Sequence, residues 1–229
     1  PHAIAGSWGD MMLNTERAQI IALFGKTSSL PLQDLRVALE APTLDHATGM
    51  SVATEKLIAI IKNRPGEDPG VFLVETEITG ADISKILPDL PSRYQRLGPV
   101  TAMFDAFFTA GWTPGDTSAP FPDFRGIVLQ KMSVGFGESD ITLEGKLQLN
   151  PNGTVSGEVN LGVTNWRSLL TLAKEMSKID AEGEKIFGEM LSDVEALSGK
   201  PGTLKLPLTI RNGTITYGML TLGLIPPIR

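Results

Sequence analysis

The chain contains no cysteine among its 229 residues. This absence excludes disulfide bonds, zinc sites with thiolate ligands and cysteine nucleophiles. Proteins of oxidising compartments often avoid unpaired thiols, so the composition is compatible with a bacterial periplasm. A chain of this length buries enough surface to form a core without disulfides or metals.

Long apolar runs are also missing, since no window approaches the 18 or so continuous apolar residues that span a bilayer. No basic segment followed by an apolar core is present, so the sequence contains no signal peptide. The chain begins at Pro1 rather than at methionine. We therefore expect that a leader was removed or that the chain is a fragment of a longer protein.

Histidine, the commonest general base, occurs only at His2 and His46. The sequence has no histidine pair at helical spacing, no EF-hand loop and no Gly-x-Ser-x-Gly turn. His46 follows Asp45 in a predicted polar loop, where a solvated histidine is the ordinary interpretation. We expect no catalytic residues, no metal site, no cofactor and no enzymatic activity.

Clustered positive charge is absent as well. The 20 basic residues are outnumbered by 26 acidic ones, and the net charge is −6. The densest basic stretch contains only Arg93 and Arg96. Because nucleic-acid binding requires clustered cations, we expect no nucleic-acid partner and little attraction to an anionic membrane surface.

Alternating apolar and polar residues are clearest in the second half of the chain. Segments 141–149 and 154–164 alternate with period two, which predicts strands with one buried face. The turn sequence Asn150-Pro151-Asn152-Gly153 joins them into an antiparallel hairpin. A second hairpin is predicted from 204–210, Asn212-Gly213 and a returning strand at 215–222.

Two helices are predicted between these hairpins. Apolar residues recur at helical spacing over about 165–179, with Thr164 or Asn165 as the N-cap, and again over about 181–198. Asp180 is positioned to cap the second helix, which Gly199 ends.

The first half of the chain is less regular. Segments 35–39, 71–78 and 127–136 are predicted strands. Segments 11–24, 52–61 and 99–111 fit either a strand or a helix. Breaks occur at 64–70 and 112–122.

These elements together predict an α+β fold with a curved, mainly antiparallel sheet and a pair of helices inserted between the C-terminal hairpins, covering the apolar face of the sheet. We interpret residues 1–229 as a single β-rich domain that lacks an N-terminal membrane anchor and its first strands. The segment near 112–122 is a candidate internal boundary.

One aromatic cluster is a candidate ligand site. Phe104, Phe107, Phe108 and Trp112 lie within nine residues, just before the segment rich in proline and glycine. One interpretation is that these side chains fill the core beneath the sheet. The other is that they line an apolar groove for a lipid-like ligand or a partner.

The turn glycines and alternating apolar residues also carry a family resemblance. They are Gly126 to Leu129, Leu143 to Leu149, Asn152-Gly153, Gly157, Val159, Val163, Asn165-Trp166, Leu204 to Gly213 and Gly218 to Pro226. Segments 126–229 and, more loosely, 35–81 resemble an uncharacterised family of alphaproteobacterial envelope proteins, domain-of-unknown-function family 2125.

This resemblance implies a periplasmic protein, anchored to the inner membrane by a segment absent from this chain. It implies no catalytic residues. The leading functional hypothesis is a non-enzymatic envelope protein whose curved sheet binds lipid or another apolar ligand. The alternative is a structural or assembly module that binds other envelope proteins through a strand edge or an apolar patch.

Overall fold

The structure is a computed structural model that describes most of the chain. The described residues are 2–4, 11–24, 32–47, 49–63, 70–108 and 124–227. The candidate boundary near 112–122 lies outside them.

The described residues form fifteen strands and two helices. The strands are β1 (His2–Ile4), β2 (Met11–Thr15), β3 (Arg17–Phe24), β4 (Leu32–Glu40), β5 (Thr43–His46), β6 (Ser51–Ala53), β7 (Lys56–Asn63), β8 (Val71–Thr79), β9 (Val100–Phe108), β10 (Phe124–Phe136), β11 (Ser139–Leu149), β12 (Val155–Thr164), β13 (Thr203–Arg211), β14 (Thr214–Tyr217) and β15 (Leu220–Leu224). The helices are α1 (Trp166–Glu175) and α2 (Ala181–Ser198), with a short 3-10 turn at Ser92–Tyr94.

Eleven of these strands form one open antiparallel sheet. Its order is β15-β14-β13-β12-β11-β10-β9-β8-β7-β4-β3, so its neighbours follow chain order except where β5 and β6 are skipped. A small sheet, β1-β2-β5-β6, continues the β3–β4 hairpin. We call the end of the large sheet that carries Glu40, Thr79 and Thr164 the upper end. The opposite, lower end carries the turns at 150–153 and 212–213.

The strand register aligns apolar residues in rows across the large sheet. One row of directly opposed residues contains Ala22, Leu35, Ile61, Val74, Phe104, Leu129, Gly145, Val159 and Leu208. Because side chains alternate between the two faces of a strand, this row lies on one face of the sheet, which we call the inner face. The opposite face is the outer face.

Both helices pack at the upper end, over the inner face of β12 and β13. Trp166, at the start of α1, is 2% exposed and packs with Val163 and Leu204. Further apolar contacts come from Leu161, Leu169, Leu170, Leu191, Val194 and Leu206. The other end of α1 brings Leu172 against Leu90 and Tyr94, in the segment between β8 and β9. The helix pair therefore covers one corner of the inner face.

The predicted fold class is confirmed: most of the chain is antiparallel sheet, with both helices near its C-terminus. The hairpin at Asn152-Gly153 forms as predicted, and the Asp180 carboxylate accepts a hydrogen bond from the Gly183 backbone N–H at 2.7 Å. Helix α2 ends at Gly199, which has φ +70°.

Three details differ from the sequence-based prediction. Helix α1 ends at Glu175 instead of 179, where Ser177 adopts φ +54°. The Asn165 side chain does not cap α1 but donates to the Glu138 carbonyl oxygen at 3.2 Å. The returning strand at 215–222 is divided into β14 and β15, because Gly218, at φ +56°, makes a second turn.

The ambiguous segments are strands in the structure. Segment 11–24 forms β2 and β3, segment 52–61 falls on β6 and β7, and the described part of 99–111 forms β9. Pairing with other strands determines the conformation of these segments, because each one has an antiparallel neighbour on one or both sides.

Two glycines on the inner face allow close backbone contacts between β11 and β12. Gly145 has φ +150° and Gly157 has φ +154°, values that side chains disfavour. A Cβ atom at Gly157 would overlap the carbonyl oxygen of Lys146, and one at Gly145 would overlap that of Glu158. Glycine therefore allows the two strands to keep this pairing at both positions.

The substitution Gly157→Ala tests this requirement for glycine. We expect the free energy of unfolding to fall by about 2–3 kcal/mol, because the new methyl group forces the strands apart. Gly223→Ala is the matched control, since that strand glycine lacks a positive φ and a Cβ atom added to it would meet no heavy atom within 4 Å. It should change stability by less than about 0.5 kcal/mol in the same urea titration. Equal effects of the two substitutions would contradict the requirement for glycine at position 157.

Glu195 fixes the helix pair to the sheet. Its carboxylate accepts hydrogen bonds from the Gly202 backbone N–H at 2.6 Å and from Trp166 Nε1 at 3.0 Å, and it pairs with Arg167 at 2.8 Å. These contacts lower the pKa of Glu195. The hydrogen bond from Gly202 has the largest effect, and those from Trp166 and Arg167 add to it. A lowered carboxyl pKa contributes stability above the pKa of the unfolded chain, and this contribution is lost as pH falls through the folded value.

Replacing Glu195 by glutamine should therefore change the acid sensitivity of the fold. We expect Glu195→Gln to lower stability near neutral pH, and the difference from the parent protein to shrink as pH falls below about 4. Asp193→Asn removes an exposed carboxylate on the same helix. The free energy of unfolding of this variant should differ little from that of the parent protein at every pH. Urea titrations across this pH range measure the stability of both variants. If the stability lost by Glu195→Gln stays constant with pH, the lowered pKa of Glu195 does not contribute to stability as described.

Candidate functional site

The inner face of β3 to β9 is the candidate site. Its described positions are Ala18, Ile20, Ala22, Phe24, Leu35, Val37, Leu39, Leu57, Ala59, Ile61, Asn63, Phe72, Val74, Thr76, Ile78, Val100, Ala102, Phe104, Ala106 and Phe108. None of these twenty positions carries a charged side chain. Asn63 and Thr76 are the two polar ones. The surface is therefore suited to apolar contacts rather than to ionic ones.

This part of the inner face is largely uncovered within the described chain. Leu39, Phe72 and Ala106 are buried, whereas the other positions are partly or fully exposed. Ile20 and Phe24 are 57% and 54% exposed. No helix among the described residues makes an extended contact with β3 to β9. The apolar face thus extends well beyond the corner that α1 and α2 protect.

The size of this surface suits an extended hydrocarbon. Five adjacent strands, β9-β8-β7-β4-β3, contribute to it, and each has eight or nine residues. With strands about 4.8 Å apart and a rise of about 3.3 Å per residue, the surface measures roughly 20 by 30 Å. An acyl chain has room to lie along it.

The predicted aromatic cluster is divided between the two faces. Phe104 and Phe108 point to the inner face, and Phe107 lies on the outer face beside Gly126. Trp112 lies outside the described residues. The structure therefore does not bring Phe107 together with Phe104 and Phe108. The reason is that β9 is a strand, in which adjacent side chains point to opposite faces.

A different set of aromatic residues meets on the inner face near the lower end. The rings of Phe72 and Phe108 are edge-to-face at 5.9 Å, and those of Phe108 and Phe124 are edge-to-face at 5.7 Å. These residues come from the adjacent strands β8, β9 and β10. Sequence reasoning missed Phe72 and Phe124 because their proximity depends on strand pairing across separated segments.

The outer face has a different chemical character. Arg36, Ile60, Glu75, Met103 and Lys131 form one of its rows, in which charged and apolar side chains alternate. Lys62 and Glu75 form an ion pair there at 3.2 Å. The sheet is therefore two-sided, with its charges on the outer face.

A groove of about 1,030 Å³ lies at the lower end of the sheet. Phe107, Phe124 and Leu149 supply apolar surface to it, and Arg125 and Lys146 supply positive charge. This combination would accept an anionic group more readily than a cationic one.

The carboxyl groups with displaced pKa values have structural partners. The Arg36 guanidinium lowers the pKa of Asp34, and the Ser84 hydroxyl and backbone N–H lower that of Asp82. Glu195 anchors the helices, as described above. These three carboxyl groups lie on different elements and do not converge on a cleft. A lowered pKa makes each of them a poor proton donor or acceptor at neutral pH.

Metal ligands and membrane-spanning helices would each indicate a different kind of function. In the described parts of the chain, no group of three or more histidine and acidic side chains is arranged to hold a metal ion. His46 ends strand β5, where it is half-buried, instead of lying in a loop. Neither helix within the described ranges combines the length and apolar composition needed to cross a membrane.

Comparison with known proteins places the chain in a family. Residues 2–226 match the family described as "Uncharacterized protein conserved in bacteria (DUF2125)". The searches of curated proteins and of solved structures gave no match. The match extends over nearly the whole chain, beyond segments 35–81 and 126–229 that carried the resemblance, and confirms it. The chain therefore belongs to the DUF2125 family.

Proposed function

We propose that this protein is a non-enzymatic envelope protein that binds lipid or another apolar ligand on the inner face of β3 to β9. The observation that carries the proposal is a surface of twenty described positions without one charged side chain, of which the four on β3 are exposed and thirteen more are half-buried. Contiguous exposed apolar surface on a protein marks a site of interaction.

Covering this surface with hydrocarbon is energetically favourable. Each methylene group removed from water contributes about 0.8 kcal/mol, so an acyl chain lying along several strands gains substantial free energy. The edge-to-face rings of Phe72, Phe108 and Phe124 add a broad apolar floor near the lower end. Hydrogen bonds between paired strands satisfy most of the backbone, so the polar groups that an apolar ligand would cover on the inner face are chiefly the side chains of Asn63 and Thr76.

The non-enzymatic part of the proposal is supported by the placement of the ionisable groups. The displaced carboxyl groups Asp34, Asp82 and Glu195 lie apart, and each is held by its own structural partner. The charged side chains of the sheet lie on the outer face, away from the proposed ligand.

The proposed location is the periplasm, with anchoring to the inner membrane through a segment outside this chain. The absence of cysteine supports it, because an oxidising compartment favours proteins without unpaired thiols. A ligand-binding surface of this kind would then act close to the membrane that supplies the lipid.

Two adjacent isoleucines test the proposed binding face. Ile61 opposes Val74 on the inner face, whereas Ile60 opposes Glu75 on the outer face, and both are half-buried in β7. Ile61→Gln should weaken binding of a fluorescent fatty acid about 10-fold or more, since burying an isoleucine side chain contributes about 1.5–3 kcal/mol. Ile60→Gln should leave the affinity nearly unchanged.

Thermal unfolding of both variants controls for misfolding, because the two substitutions replace the same residue type in one strand. Equal affinities for the two variants, with folds intact, would place the ligand elsewhere. Binding that is undetectable even in the parent protein would remove the proposal.

A second candidate is an assembly module that binds other envelope proteins. The edges of the large sheet favour it, since β15 pairs with no second strand among the described residues and exposes Leu220, Leu222 and Leu224, and such an edge accepts a further strand. A protein partner retained equally by delipidated and untreated protein would favour this candidate over lipid binding.

A further inference from the structure

The groove at the lower end of the sheet combines positive charge with apolar surface. Its two cationic side chains, Arg125 and Lys146, are both exposed. The described residues that line it include no aspartate and no glutamate. The whole chain, in contrast, has 26 acidic residues against 20 basic ones. The groove is therefore a positively charged site in an acidic protein.

Neither of these cations is neutralised by an ion pair within the described chain. Glu158 lies opposite Lys146 on β12, but it does not line the groove and the two side chains form no ion pair. Most other described arginines do pair with a carboxylate, namely Arg17, Arg36, Arg93, Arg96 and Arg167. The charges of the groove thus remain available to an anionic ligand.

Amide side chains add hydrogen-bonding groups to the groove. Gln148 lies two residues after Lys146 on β11, so both side chains point to the same face. Asn150 has a structural task instead, because its amide nitrogen donates to the hydroxyl groups of Thr154 and Ser156 at 2.9 Å and so holds the turn at 150–153. A carboxylate or a phosphate accepts hydrogen bonds from groups such as Arg125, Lys146 and Gln148.

Phe124 connects this groove with the apolar inner face. It lines the groove, and its ring also lies edge-to-face against Phe108 at 5.7 Å, in the aromatic set that includes Phe72. The pairing of β10 with β9 is irregular between Phe124 and Gly126, and Arg125 lies at this irregularity. A cation thus directly follows the aromatic residue at the border of the apolar surface.

We propose that the groove binds the anionic headgroup of a lipid, a carboxylate or a phosphate, whose hydrocarbon extends past Phe124 onto the inner face. Arg125 and Lys146 bind the headgroup, which lies beyond the apolar surface, and only the hydrocarbon covers that surface. This inference rests on the proposed function and narrows the ligand to an anionic lipid. A neutral lipid would leave both cations without a partner.

Substitution of both cations tests this assignment. The double variant Arg125→Gln with Lys146→Gln should bind decanoate about 10-fold more weakly than the parent protein, because each exposed ion pair contributes only modestly. Its affinity for decanol, which has the same chain length and no charge, should change by less than about twofold. Isothermal titration calorimetry at neutral pH measures both ligands.

Lys200→Gln with Lys205→Gln is the matched control. This double variant removes the same two positive charges from exposed positions outside the groove. It should bind decanoate and decanol as the parent protein does. Thermal unfolding of both double variants checks that the fold is intact.

Either of two results overturns the headgroup site. One is an equal affinity of the two double variants for decanoate. The other is inorganic phosphate that binds as tightly as decanoate, which would indicate a site for free anions. Decanol binding that Ile61→Gln weakens would in both cases still support lipid binding on the inner face. Conversely, decanoate binding that depends on the two cations but not on Ile61 would keep the groove and remove the inner face, and a parent protein that binds neither amphiphile removes both.

Discussion

Each strand of the large sheet sends a row of apolar side chains to the same side, and the described chain shields only part of that side from water. Apolar surface left in water is unfavourable, so a sheet of this kind must be covered by its own chain or by something else. The helix pair covers the inner face of β12 and β13. The inner face of β3 to β9 has no comparable cover among the described residues. The fold and the proposed function both depend on this imbalance.

The covered corner shows how the protein deals with the same constraint elsewhere. Trp166 fills the space between α1 and the sheet, and Glu195 satisfies its indole N–H while also holding the Gly202 backbone. In β12, Gly157 approaches the backbone of β11 more closely than a side chain would permit. These features are built for permanent burial. The inner face from β3 to β9 has no such anchor in the described chain.

Much of the fold could be predicted from local sequence, and the site could not. The hairpin around Asn152-Gly153 and helix α2, capped by Asp180, carry their signals within a few residues. The division between β14 and β15 was missed because the turn at Gly218 lies inside an alternating run. The strand also divides the predicted aromatic grouping between two faces. Phe104, Phe107 and Phe108 share one face on a helix, but in a strand Phe107 turns away from the other two.

The extent of the inner face depends on pairing between distant segments, such as Leu35 with Ile61 and Ile61 with Val74. No local pattern indicates those partners, so a single sequence predicts the faces of individual strands but not the surface they build together. Residue types still bear on the proposed function in one respect. The composition is rich in aliphatic and aromatic side chains, and the strands carry many of those suited to apolar contact.

The most direct test of lipid binding is native mass spectrometry of the purified protein, followed by solvent extraction and analysis of any released lipid. We expect a reproducible adduct in stoichiometric amount, and the Ile61→Gln variant should carry less of it than Ile60→Gln. A protein that is free of adduct under conditions preserving known lipid complexes, and that does not acquire one from added fatty acid, would contradict lipid binding on the inner face.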